Sequence, residues 1–92
     1  MKVMIRKAAE DDLNRIAEWI AKDNESAARR MVSRIRGHIN FLEVDELTQI
    51  GRPGFVQGTR EMTEYPYIIV YRMYAKMGEI HVLSIVHGAR DR

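Results

Sequence analysis

The strongest constraint on the fold of this 92-residue chain is a pair of strand-like segments in its last third. Residues 67–74 and 79–87 are rich in β-branched and aromatic side chains, and apolar residues occupy consecutive positions in both segments. Strands with two apolar faces are suited to the interior of a sheet and not to a solvent-facing edge. Gly78 lies in the short connection between them and permits a tight hairpin turn. We therefore predict that these two strands lie at the centre of a sheet that helices cover on one side.

Two amphipathic helices are predicted between a first strand at residues 2–6 and a further strand at residues 58–63. The first helix is predicted from Glu10, with acidic residues in its first turn, where the helix dipole favours them. Its apolar stripe consists of Leu13, Ile16, Ala17 and Ile20. Asn24 offers an N-cap to the second helix, whose stripe consists of Ala28, Met31, Val32, Ile35, Ile39 and Leu42. Residues 47–57 are rich in glycine and proline and are predicted to form a loop.

The resulting element order, β-α-α-β-β-β, predicts an α+β fold for a single domain that spans residues 1–92. In this fold an antiparallel helical hairpin packs on a mostly antiparallel, twisted sheet. The chain contains no cysteine, which excludes a disulfide scaffold, a thiol nucleophile and thiolate metal sites. It also lacks an apolar run of the length of a signal peptide or a membrane span, so we expect a cytoplasmic protein that does not bind a membrane.

The histidines and carboxylates do not form a recognisable catalytic or metal-binding pattern. His81 and His87 are predicted to share one face of the last strand, but about 20 Å would separate them, which is too far for joint acid–base catalysis. No group of residues has the spacing of a zinc site, and the acidic residues are not paired as in glycosidases or metal-dependent nucleases. We therefore predict no metal ion and no cofactor.

Arginines are the most informative charged residues of the last third. Arg60, Arg72 and Arg90 come from three segments that an antiparallel meander would place side by side. Their convergence at one sheet edge would create a site for an anion, such as a nucleic-acid phosphate or the carboxylates of a partner. The alternative is that Arg72 and Arg90 pair with carboxylates of the chain itself.

Four motifs, taken with the predicted element order, resemble the RelE/ParE superfamily of bacterial toxins, and the ParE branch most closely. These motifs are IGRPG at 50–54, GTRE at 58–61, YPYIIVYR at 65–72 and HGAR at 87–90. Members of the superfamily are often labelled plasmid-stabilisation proteins, and the resemblance covers essentially the whole chain. It implies the toxin of a type II toxin–antitoxin pair, neutralised by a ParD-like antitoxin that wraps the helical hairpin.

The resemblance implies one of two activities. RelE-like members cleave mRNA in the ribosomal A site, whereas ParE-like members are said to poison DNA gyrase without hydrolytic chemistry of their own. In this chain Ile68 aligns with the key strand arginine of the RelE branch, and no aromatic residue follows Arg90. An aliphatic side chain cannot stabilise a reacting phosphate, so the resemblance favours a non-enzymatic gyrase inhibitor. The alternatives are an endoribonuclease that uses Arg60, Arg72, His87 and Arg90, and a member that only binds its antitoxin.

The same reasoning predicts two interaction surfaces. The predicted contacts with the target are Arg60, Tyr71, Arg72, His87 and Arg90. The helical hairpin carries more apolar residues than one sheet face needs, which points to a second surface for the antitoxin. The predicted contacts with the antitoxin are Trp19, Ile20, Met31, Arg52 and Arg60.

Overall fold

The computed structural model describes residues 1–44 and 51–89, which form two helices and five strands. In chain order these are β1 (Lys2–Ile5), α1 (Lys7–Ala21), α2 (Glu25–Phe41), β2 (Arg52–Pro53), β3 (Thr59–Glu64), β4 (Tyr67–Tyr74) and β5 (Glu79–His87). A single 3-10 turn, Ala75–Met77, and Gly78 with a φ of 65° connect β4 to β5. The predicted α+β fold is confirmed. Neither helix of the described residues is long and apolar enough to cross a membrane.

The five strands form one sheet with the order β1-β5-β4-β3-β2. β1 runs parallel to β5, and the other neighbouring strands are antiparallel. β4 and β5 are interior strands, as their two apolar faces predicted. β2 was not predicted: Arg52 and Pro53 pair with Glu61 and Arg60 and add a short edge strand within the predicted loop. The part of that loop at residues 47–50 lies outside the described residues.

The helical hairpin covers one face of the sheet and buries part of each predicted stripe against it, while Ala17, Ala28 and Val32 line the outside of the hairpin. The hairpin contributes six buried residues to this core, which are Ala9, Leu13, Ile16, Ile35, Ile39 and, directly after α2, Leu42. α1 begins at Lys7 and not at Glu10, because Ala8 and Ala9 favour helix and Ala9 is fully buried. The predicted N-cap of α2 is confirmed, since the Asn24 side chain accepts a hydrogen bond from the Ala27 amide at 2.9 Å.

A β-bulge in β5 decides which side chains face the helices. Val70 pairs with Ser84, but the next residue, Tyr71, pairs with Val82, so Leu83 is an extra residue on β5. His81 therefore lies opposite Arg72 on the open face, and His87 lies opposite Tyr67 on the helix-covered face. The prediction that both histidines share one face is wrong, because one inserted residue reverses the alternation of side chains.

Candidate functional site

The two predicted arginines on β3 and β4 lie on opposite faces of the sheet. Arg60 pairs with Tyr71 on the helix-covered side, whereas Arg72 pairs with Thr59 on the open side. Arg60 donates a hydrogen bond to the Gly51 carbonyl, and Arg72 donates one to the Gln57 carbonyl at 3.4 Å. The predicted convergence is therefore wrong for this pair, because the strand register places their side chains on alternate faces. Arg90 lies outside the described residues.

His87 is at the other end of the sheet from Arg60 and Arg72. It pairs with Tyr67, whose ring it meets edge-on with 5.5 Å between the ring centroids. Tyr67 lies four positions along β4 from the partner of Arg60 and five from Arg72, which corresponds to about 13–17 Å of strand. The structure thus does not bring Arg60, Arg72 and His87 together at one site.

Tyr71 has no exposed surface to offer a target. Its side chain is 0% exposed within the core, and its hydroxyl accepts a hydrogen bond from the Gly51 amide at 3.3 Å. The sequence alone does not decide whether Tyr71 is buried or exposed, because this residue belongs to a strand with apolar residues at consecutive positions. The structure places Tyr71 among the residues that stabilise the sheet.

The open face carries a buried histidine that sequence reasoning did not select. His81 accepts a hydrogen bond at Nδ1 from Arg6 Nε (2.8 Å), and its Nε2 lies 2.9 Å from Glu79 Oε1. Since Arg6 can only donate, the neutral ring carries its proton on Nε2 and donates it to Glu79. The ring of Tyr74 covers His81 at a centroid distance of 4.6 Å. Both ring nitrogens therefore have hydrogen-bond partners within the protein, and neither is available to a substrate. The network of Arg6, His81 and Glu79 stabilises this face of the sheet. Within residues 1–44 and 51–89, no three histidine, cysteine or acidic side chains are grouped so that they could hold a metal ion.

A buried carboxylate fixes the segment between β2 and β3. Glu61 is 2% exposed, and its two carboxylate oxygens accept hydrogen bonds from Arg52 Nη2 at 3.4 Å and from the Phe55 amide at 3.3 Å. The chain approaches β3 closely on both sides of β2: a Cβ atom at Gly51 would overlap the Glu61 carbonyl, and one at Gly54 would overlap the Thr59 hydroxyl. Glu61 and Arg60, as neighbours along the strand, project to opposite sides of β3.

A cleft of about 530 Å³ separates α1 from the C-terminal half of β5. Its lining includes Ile16, Trp19, Lys22, Tyr67, Val86 and His87. Trp19 is 55% exposed, and the Lys22 ammonium lies 5.3 Å from the centroid of its ring. An aromatic side chain of this size at the rim of a cleft is typical of a protein-binding site.

Inside this cleft an aspartate of α1 accepts a hydrogen bond from a backbone amide of β5 that has no strand partner from β1. β1 pairs only with the first half of β5, from Glu79 to Val82. Beyond that point the Ile85 amide donates a hydrogen bond at 2.9 Å to Asp12, which also forms an ion pair with Arg15. The sequence placed Asp12 in the first turn of a helix and gave no sign of this contact with a distant strand.

We expect Asp12→Ala to lower the free energy of unfolding by about 1–3 kcal/mol, because the Ile85 amide would lose its acceptor in a part-buried position. Asp12→Asn should lose less, since the amide oxygen can still accept the hydrogen bond. Urea unfolding followed by circular dichroism would measure both. Asp11→Ala is the matched control, as Asp11 contacts only the exposed Lys7 in the described structure. Equal losses for Asp11→Ala and Asp12→Ala would contradict this role.

The five predicted antitoxin contacts do not form one surface. Ile20 and Met31 are partly buried against the core, and Trp19 lines the cleft beside β5. Arg52 and Arg60 lie on β2 and β3, at the opposite edge of the sheet. A separate shallow groove runs along the outside of the hairpin, and its apolar floor consists of Ala17, Ala21, Ala28 and Val32.

Residues 3–92 match the family described as "ParE toxin of type II toxin-antitoxin system, parDE". The chain is 36% identical over 78 residues to a Sinorhizobium fredii protein named "Putative toxin Y4kP", with 83% of this chain and 76% of that protein covered. A structure of the chromosomal ParDE toxin–antitoxin system from P. aeruginosa superposes with a TM-score of 0.82 at 24% identity, over 95% of both chains. The RelBE2 toxin–antitoxin complex from Mycobacterium tuberculosis superposes with a TM-score of 0.70 at 17% identity, over 94% of this chain and 95% of that chain. At these identities the two superpositions show a shared fold.

Proposed function

This chain belongs to the ParE family of toxins of type II toxin–antitoxin systems, and from that premise we propose that it inhibits DNA gyrase and is neutralised by a ParD-like antitoxin. In this proposal the toxin acts by binding and not by hydrolysis. The observation that carries it is the separation of the basic side chains that a nuclease site would have to combine.

The contrast with a ribosome-dependent nuclease rests on four positions. Arg60 and Arg72 are on opposite faces of the sheet, and His87 is at its other end. Phosphodiester cleavage needs cationic donors and a proton-transfer group around one phosphate. Ile68, at the position aligned with the RelE-branch arginine, is buried on the open face and supplies no charge. These features favour a binding protein over an endoribonuclease.

The proposed antitoxin surface combines the hairpin groove with the α1–β5 cleft. The structurally similar proteins from P. aeruginosa and M. tuberculosis are described as parts of toxin–antitoxin systems, which supports an antitoxin as partner. In this chain the alanine floor of the groove allows the backbone of an amphipathic helix to approach closely, and Trp19 provides an aromatic anchor beside it. Ile20 and Met31 support this surface from below, while Arg52 and Arg60 would be reached only by a segment that crosses to the other edge of the sheet.

Purified toxin is expected to block supercoiling by DNA gyrase at micromolar concentration, or to accumulate cleaved gyrase–DNA complexes. Addition of the antitoxin encoded beside the toxin should restore supercoiling, because the complex would withdraw the toxin from gyrase. Toxin that leaves gyrase activity unchanged at micromolar excess would rule out the gyrase proposal.

Cells that express the toxin without its antitoxin can be tested for the two alternatives, mRNA cleavage and antitoxin binding alone. Primer extension on translated mRNA would reveal cuts within the A-site codon if the toxin were a ribosome-dependent nuclease. Intact messages together with growth arrest are expected from a gyrase inhibitor. Harmless overexpression without the antitoxin would instead indicate a member that only binds its antitoxin.

A further inference from the structure

The connection between β2 and β3 presents two adjacent apolar side chains to solvent. Phe55 is 80% exposed and Val56 is 63% exposed. Single exposed apolar residues are ordinary, but neighbouring ones on a small domain indicate an interaction site when polar groups surround them. We refer to Phe55 and Val56 as the apolar tip.

Hydrogen bonds to buried residues hold the backbone of the apolar tip in place. The Val56 carbonyl accepts from the Thr59 amide at 3.0 Å and from the Thr59 hydroxyl at 2.6 Å. The Gly54 amide donates to the Thr59 carbonyl at 2.9 Å, and the Phe55 amide donates to the buried Glu61 carboxylate. Thr59 and Glu61 are both buried. The tip is therefore preorganised, and little conformational entropy would be lost when it inserts into a partner.

Two guanidinium groups on the open face flank the apolar tip. Arg52 is exposed although it contacts Glu61, and Arg72 lies against Gly58, where an added Cβ atom would be 3.3 Å from Arg72 Nη1. The Glu61 carboxylate offsets the charge of Arg52, and Arg72 leaves these three groups with a net positive charge. The tip is thus an apolar projection within an electropositive collar formed by Arg52 and Arg72.

We propose that the apolar tip inserts into an apolar pocket rimmed by carboxylates on the protein that the toxin inhibits. This inference rests on the proposed function, in which the toxin acts by binding a target protein. Carboxylates match the guanidinium groups of the collar in charge and in hydrogen-bonding geometry. A nucleic acid fits less well, because only one of the two tip residues, Phe55, has a ring on which a base could stack.

The position of the tip separates it from the proposed antitoxin surface. β2 and β3 carry the tip at one edge of the sheet, whereas the Trp19 cleft lies beside β5 toward the other edge. The residues that line the hairpin groove come from α1 and α2 alone. An antitoxin bound to the groove and the cleft would therefore contact a different part of the molecule from the target.

The test is the double variant Phe55→Ser/Val56→Ser in the full-length toxin. We expect half-maximal inhibition of gyrase supercoiling to need about 10–30 times more of this variant than of the wild type, the loss typical of an aromatic hot spot. Its melting temperature and its affinity for the antitoxin should be unchanged, since both side chains are exposed. Met77→Ser is the matched control, because Met77 is 62% exposed in the β4–β5 connection; this variant should inhibit gyrase like the wild type.

The results of this experiment distinguish a failure of the tip proposal from a failure of the gyrase proposal on which it rests. If the wild type inhibits gyrase and the double variant inhibits it equally well, the tip proposal is overturned and the gyrase proposal stands. If the wild type does not affect gyrase, the gyrase proposal fails. The tip proposal is then tested by comparing the growth arrest that the wild type and the double variant cause in cells without antitoxin. Weaker arrest by the folded double variant would support the tip, and unchanged arrest would overturn it.

Two further measurements test the identity of the partner. Arg72→Gln should weaken inhibition about 3–10-fold if the pocket has a carboxylate rim, and unchanged inhibition would overturn that part of the proposal. The double variant should bind a DNA duplex or the antitoxin as the wild type does. A selective loss of either interaction would overturn the assignment of the tip to a target protein.

Discussion

Replacement of Tyr71 by alanine is expected to remove a large part of the free energy of unfolding and to shift the urea unfolding transition well below that of the wild type. Tyr71 is 0% exposed and lies on the interior strand β4, between Arg60 on β3 and Val82 on β5. Truncation of a buried aromatic side chain to alanine costs about 3–5 kcal/mol, because apolar contacts are lost and a cavity remains. A 92-residue domain has a total stability of about 5–14 kcal/mol, so this loss is a large part of the whole.

Two matched variants identify the cause of this loss. Tyr71→Phe removes only the hydroxyl that accepts a hydrogen bond from Gly51, and it should cost about 1 kcal/mol. Tyr65→Ala removes the same side chain from a position that is 83% exposed, and it should change stability by less than about 0.5 kcal/mol. Urea unfolding followed by circular dichroism would rank the three variants. A cooperative transition of Tyr71→Ala at the wild-type midpoint would refute the proposed packing role.

This result bears directly on how toxicity data should be interpreted. The sequence placed Tyr71 among the contacts with the target, and a loss of toxicity in Tyr71→Ala could be taken as support for that role. The structure predicts that Tyr71→Ala also destabilises the fold, and a smaller folded fraction would lower toxicity in the same way. Toxicity of a Tyr71 variant is therefore informative only when its folded fraction has been measured.

The sequence predicted most accurately those elements whose pattern depends on local geometry. The predicted bounds of β4 and β5 coincide with the observed strands, because consecutive apolar residues are incompatible with any solvent-facing strand. The N-cap at Asn24 was also predicted correctly, since capping requires only one residue and the helix that follows it. The start of α1 was three residues late, because the polar residue Lys7 masked the helix propensity of the alanines after it.

The arrangement of the candidate site depended on contacts that a single sequence does not specify. The register between β3 and β4 decides whether Arg60 and Arg72 share a face, and a shift of one residue would reverse the answer. The bulge at Leu83 likewise separates His81 from His87, and no glycine or other signal marks it. Contacts between distant segments, such as Arg6 with His81 and Asp12 with Ile85, were invisible for the same reason.

Trp19→Ala is expected to weaken binding of the antitoxin about 10–30-fold, provided that the α1–β5 cleft is part of the antitoxin surface as proposed. Trp19 combines a large apolar ring with 55% exposure at the rim of the cleft, and tryptophans in such positions often dominate the energy of an interface. The loss should appear mainly as faster dissociation, because the ring contributes contacts and no long-range charge. Surface plasmon resonance with immobilised antitoxin would measure both rates.

Phe41→Ala is the matched control for Trp19→Ala. Phe41 has almost the same exposure, 52%, but it ends α2 next to His38 and lies away from the α1–β5 cleft. If the antitoxin recognises the cleft, Phe41→Ala should bind within about twofold of the wild type, as expected outside a hot spot. Unchanged affinity of a folded Trp19→Ala variant would exclude the cleft and leave the hairpin groove as the proposed antitoxin site. An equal loss in both variants would instead indicate that general exposure of aromatic surface, and not the shape of the cleft, determines binding.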